Sequence, residues 1–185
     1  MIAVISFSLN NKAQCQKVEK ASENEAIVYF VKSTVIASAV TFNFFDSDQC
    51  IGKFKGQGYF IYRCEPGEHV FWVSKEFANF MTADLNPGHT YLVGVYATTG
   101  VLTANPIISP ISAADIKNIT KALKILKKKD PKTFSEEELS GWTEKHQTSI
   151  TESMAHFRKK ANEGADFKNL AADMALPNEY IMTNK

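Results

Sequence analysis

The chain has 185 residues, with 21 basic and 20 acidic side chains, a net charge of +1, and 44% apolar residues. That composition excludes a disordered or collagen-like chain and any molecule-wide field that would recruit nucleic acid. No apolar run approaches the ~20 residues that a membrane-spanning helix needs.

The chain opens on an apolar stretch, Met1–Leu9, followed by Lys12-Ala13-Gln14 and Cys15. This reads either as the remnant of a secretory signal or as a strand, because no basic residue precedes the apolar run. Cys15 as a lipid-anchoring residue lacks the aliphatic and small residues that should precede it. Residues 16–25 read as a solvated linker, so 1–24 form an N-terminal segment, 25–110 a β domain and 111–185 a helical extension.

Fifteen of the 21 aromatic residues fall between Tyr29 and Tyr96, where β-branched and aromatic side chains favour half-buried pleated surfaces. Strands are predicted near Ala26–Lys32, Ala39–Phe45, Cys50–Phe54, Tyr59–Cys64, His69–Ser74, Phe80–Leu85 and His89–Ala97, with an eighth near Val101–Ile108. Short strands separated by frequent turns indicate a sandwich or barrel. Large side chains in such numbers are mostly core. Tyr59, Tyr62 and Trp72 are the candidate surface contacts.

Gly56-Gln57-Gly58 reads as a three-residue hairpin loop with Gly58 in the left-handed position. In that register Phe54 faces Phe60, Gly52 faces Tyr62 and Cys50 faces Cys64. The two cysteines would then bridge in an oxidising compartment, or pack as two buried thiols. Pro66-Gly67 and Pro87-Gly88 are type II turn signals, each launching a strand. His69 and His89 follow them. They read as strand-start histidines, since no third ligand has zinc-site spacing with them. Asp46 and Asp48 flank Ser47 in a turn that lacks a calcium-loop pattern.

Beyond Pro110, Ser112 is a candidate N-cap, and Ile116, Ile119, Leu123 and Leu126 form one apolar stripe. Lys127-Lys128-Lys129 suits the negative end of that helix. Ser135, followed by Glu136, Glu137 and Glu138, caps a second helix running to Gly164, and a short helix is expected over Phe167–Met174. The stripes of the two long helices are expected to pack on each other, or on one sheet face, as a helical hairpin. Lys127–Lys129 with Lys132, together with Arg158-Lys159-Lys160, reads either as solvated helix ends or as a headgroup-binding patch at a membrane surface.

Ile27-Val28-Tyr29-Phe30, Ile51-Gly52, Tyr59-Phe60, Pro66-Gly67-Glu68-His69 and Gly88-His89-Thr90-Tyr91 together resemble a bacterial cell-envelope family of unknown function. Its fold is a PEGA-like, carbohydrate-binding-like β-sandwich. The resemblance covers about residues 25–100, and Val31-Lys32-Ser33 departs from it where an Arg is common. It implies an exported or lipoprotein setting, periplasmic or at the envelope, and carries no catalytic residues over.

The phosphate-loop, nucleophile-elbow and zinc-protease patterns are all missing from the sequence. The expectation is therefore a mainly β protein. Its core would be an antiparallel prealbumin-like or Ig-like sandwich of seven to eight strands, followed by a helical hairpin. Its function would be non-catalytic binding of a glycan, peptide or protein partner, with no cofactor, metal or nucleic acid. Peripheral membrane association, or a structural role in which the helical tail docks a partner, is the alternative. An enzyme is the remote third.

Overall fold

A computed structural model describes residues 18–74, 77–99 and 104–181. The apolar start and Cys15 lie outside the described residues, as does the beginning of the eighth predicted strand. The strands are β1 (Ala26–Lys32), β2 (Thr41–Asp46), β3 (Gln49–Lys55), β4 (Gly58–Cys64), β5 (Gly67–Ser74), β6 (Ala78–Leu85), β7 (Thr90–Thr99) and β8 (Ala104–Pro110). Helices α1 (Ile116–Lys128), α2 (Glu136–Lys145) and α3 (Gln147–Asn162) follow, then a short strand, β9 (Lys168–Leu170).

Two sheets pack face to face, with strand orders β4-β1-β7-β8 and β3-β2-β5-β6-β9. Val28, Phe30 and Phe60 of the first sheet meet Phe42, Phe44, Phe71 and Met81 of the second in the central core. The sheets are mixed, against the antiparallel expectation: β1 runs parallel to β7, and β6 parallel to β9. Parallel neighbours need a long crossover, and the second sheet supplies it between β1 and β7.

All seven residues of β1 are buried, because this sheet is covered on both faces. Val28 and Phe30 point into the central core, while Ile27, Tyr29 and Val31 point outward beneath α1. Ile119, Ala122, Ile125 and Leu126 make the buried face of α1. Ile116, assigned to that stripe from sequence, is 54% exposed. The α1 cap is Asp115, whose side chain accepts from Asn118 N at 3.0 Å, and not Ser112. Ser112 is occupied in the preceding turn, where its Oγ accepts from Ala114 N.

The helices do not form a hairpin. α1 covers the first sheet, while α2 and α3 cover the opposite outer face of the molecule. There Ile150, Met154, Leu139 and Trp142 pack with Phe45, Cys50, Trp72 and Phe80. An apolar stripe must bury against something, and here each stripe is buried on an outer sheet face. Ser135 caps α2 as expected, in a complete capping box with Glu138. The single long helix is broken at His146, which closes α2 and opens α3. Gly164, at φ 76°, ends α3. The expected helix over Phe167–Met174 is β9 and a 3-10 turn instead. Pairing with β6 carries Leu170 into the central core.

No helix among the described residues is long and apolar enough to cross a membrane.

Candidate functional site: a trough on the β3–β4 flank

β3 and β4 are consecutive in the chain but belong to different sheets. The predicted hairpin is therefore an arch from one layer to the other, and the left-handed residue in its turn is Gly56, at φ 77°, not Gly58. Cys50 pairs with Phe45 on β2, and Cys64 pairs with Ala26 on β1. The β2–β3 ladder steps from Phe44↔Gly52 to Phe45↔Cys50, leaving Ile51 as an extra residue. Such a bulge reverses the side from which the next side chain emerges. Cys50 consequently lies under the helices on the outer face, whereas Cys64 packs against the central core. Both are free thiols, and burial pushes the Cys50 thiol up.

Both strands are sheet edges, and the segment between α1 and α2 runs across them. Lys132 N donates to Tyr59 O at 2.8 Å and forms a single parallel bridge beside Phe60. Phe134 then inserts where Gly52 has no side chain: a Cβ there would stand 3.1 Å from ring carbons of both Phe134 and Phe60. The edge of β3 is capped differently, with Cys50 N donating to Thr143 Oγ1 on α2 at 3.0 Å. Beyond Phe60, the outer edge of β4 has no partner strand among the described residues.

Beside this open edge lies a trough of two adjoining hollows, of about 600 and 250 Å³. Ile51, Tyr62 and Leu139 line both and form a shared apolar floor. Glu136 and Glu144 stand exposed on the rim. Tyr62 is the only candidate contact aromatic that reaches it, because Tyr59 and Trp72 are each 2% exposed and belong to the outer cores.

The Tyr62 hydroxyl donates to Asp46 Oδ2 at 3.0 Å, and His69 Nδ1 donates to the same oxygen at 2.7 Å. His69 Nε2 lies 2.9 Å from Glu65 O. A carbonyl only accepts, so Nε2 carries a proton, and Nδ1 carries another toward the carboxylate. The Asp46 hydrogen bond, with Cys64 as a further hydrogen-bonding neighbour, holds the His69 pKa up at about 10. Burial and then Asp46 push the Tyr62 hydroxyl up. The group resembles an acid–base triad, but the imidazolium has no free nitrogen with which to take a proton. It joins strands rather than activating a nucleophile. Its signal in sequence, Asp46 with His69, was split between a turn and a strand start.

The other sequence candidates stay apart. His89 turns its Nδ1 to Pro87 O at 2.8 Å. Among the described residues, no three His, Cys, Asp or Glu side chains gather as a metal site. The two basic clusters are separated too: Lys132 bridges to the β4 edge, while Lys159 and Lys160, on α3, pair with Glu163.

Comparisons with protein-family models, with curated proteins and with solved structures gave no match.

Proposed function

We propose that this protein is a non-catalytic interaction module that holds an extended, basic segment of a partner protein along β4, above the trough. The observation that carries this reading is the edge of Ile61–Cys64, which has no partner strand among the described residues and lies beside an apolar floor. Unpaired strand edges recruit further strands through main-chain hydrogen bonds, and adjoining pockets select alternate side chains. The rim carboxylates Glu136 and Glu144 favour lysine or arginine in the ligand.

A peptide fits better than a glycan. Glycan sites present free aromatic faces, whereas the rings here are Tyr62, tethered to Asp46, and Phe134, wedged over Gly52. The cell-envelope setting, and a prealbumin-like or Ig-like class for the sandwich, rest on the resemblance of turns and strands to PEGA-like domains.

Selection from a random displayed-peptide library tests the proposal. Selected peptides should alternate apolar and basic residues and perturb the backbone amide signals of Ile61–Cys64. They should lose about tenfold in affinity on Tyr62→Ala or Leu139→Glu, the scale of one buried interface anchor. Peptides that bind elsewhere on the molecule, or a library that yields none, would remove this reading.

A further inference from the structure

The strand registers place several chain segments at one pole of the sandwich. Lys32, at the end of β1, faces Gly58 at the start of β4; Thr41 faces Lys55, and Asn43 faces Ser74. The β1–β2 and β5–β6 loops therefore emerge together. Val35 and Phe77, one on each loop, are both 68% exposed, and Ile36 is 45% exposed. Among the described residues, the remaining large exposed hydrophobic residue, Ile116, begins α1 just after the far end of β8.

The Val35–Ile36 loop is built rather than slack. The Lys32 side chain is fully buried, and its ammonium donates to Thr34 O at 3.0 Å and Ile36 O at 2.8 Å. Gln57 Nε2 donates to Ser33 O at 2.7 Å. Ser38 N and Val40 N close successive turns onto Val35 O and Ala37 O, and Ala37 is held at φ 56°. A buried ammonium and a left-handed alanine are both costly. Here they fix a loop that turns two β-branched apolar side chains to water.

The same pole carries cations. Lys132 N bonds Tyr59 O, next to Gly58, so α1 ends here. Lys127, Lys128, Lys129 and Lys132 are exposed, with Asp130 the single acid in the run, and Lys55 is exposed at the end of β3. The described residues of the two apolar loops add no charge.

We propose that this pole docks on an anionic lipid bilayer, with Val35, Ile36 and Phe77 entering the headgroup–acyl boundary and the lysines meeting headgroup phosphates. Exposed apolar side chains grouped in this way mark an interaction surface. Protruding loops rimmed by lysine suit a fluid, negatively charged plane. Lys132 also lines the smaller hollow of the trough, but neither the trough nor the other described cavity includes Val35, Ile36 or Phe77.

The test is sedimentation of the full chain with vesicles of phosphatidylcholine alone and of an equimolar mixture with phosphatidylglycerol. The protein should partition to the anionic vesicles, and less so as salt rises. Each of Lys127→Gln, Lys128→Gln and Lys129→Gln should weaken partition about fivefold. The triple variant Val35→Ser, Ile36→Ser, Phe77→Ser should lose at least about tenfold while keeping the wild-type circular dichroism spectrum, since its side chains are exposed. Tyr62→Ala, at the trough, should bind vesicles as the wild type does, which separates this proposal from the peptide reading. Absence of partition, indifference to the apolar triple variant, or a pole that captures an acidic protein but no vesicle would overturn it.

Discussion

His69 and Asp46 are joined by a 2.7 Å hydrogen bond that ties the start of β5 to the end of β2. Their side chains are only 14% and 11% exposed. The carbonyl of Glu65 holds the second ring nitrogen, so the imidazolium is a three-way clip between strand, strand and turn.

The clip makes stability depend on pH in a defined direction. The folded pKa of His69, about 10, lies above the unfolded value of about 6.5. Its contribution is complete below pH ~6.5 and is lost as pH rises to ~10. Urea unfolding across that window should show the wild type losing on the order of 2 kcal/mol relative to His69→Gln, a figure reduced for partial solvent access. Parallel profiles for the two proteins would dismiss the clip.

Cys50, on β3, packs on the outer face of the second sheet, whereas Cys64, on β4 of the first sheet, packs against the central core between the sheets. Oxidation of the folded protein should therefore give no peptide linked Cys50 to Cys64 by mass spectrometry after proteolysis. A linked peptide obtained without unfolding would mean that the β2–β3 bulge is misplaced and that the two strands pair as a hairpin.

Gly52 is a packing glycine. Its backbone carries no positive φ, yet an added methyl would stand 3.1 Å from two rings. Phe60 is 1% exposed and stacks on Phe30 at 4.8 Å, so it has nowhere to go. Gly52→Ala should cost about 1–3 kcal/mol by overpacking. Pairing it with Phe134→Ala should recover part of the loss, measurable as a coupling in a double-mutant cycle. Strict additivity would show that Phe134 does not seal the arch.

The capping box at Ser135 holds the first turn of α2, which supplies Leu139 to the trough. Ser135→Ala should cost about 1 kcal/mol and raise amide exchange in Glu136–Ser140 before it changes exchange in α1. Equal loosening of both helices would argue that the cap acts on the whole fold and not on α2.

The strands were legible because alternation and turn chemistry are local. β1 has the ends that its residues predict, and the proline–glycine pairs before His69 and His89 mark strand starts. What alternation omits is the partner. A strand that shows one apolar face can satisfy it in either layer, so β3 and β4 read as a hairpin although they pair with β2 and β1. The Ile51 bulge was equally hidden, because an inserted residue leaves no mark on a single strand's composition.

The candidate site follows the same division. Tyr62 was singled out from sequence, but the other residues of the trough come from β3, from the connection after α1 and from α2. Lys127–Lys129 was visible as a basic run, and its meeting with Val35, Ile36 and Phe77 was not. Most strands and helices are marked locally, because φ/ψ preference and side-chain period act over a few residues; the Phe167–Met174 segment is an exception, its strand being made by pairing with β6. Which edge lacks a described partner, which helix covers which sheet, and which pole gathers apolar loops with lysines emerge from the packed fold. Those depend on contacts between residues far apart in the chain, chosen by burial over the whole molecule.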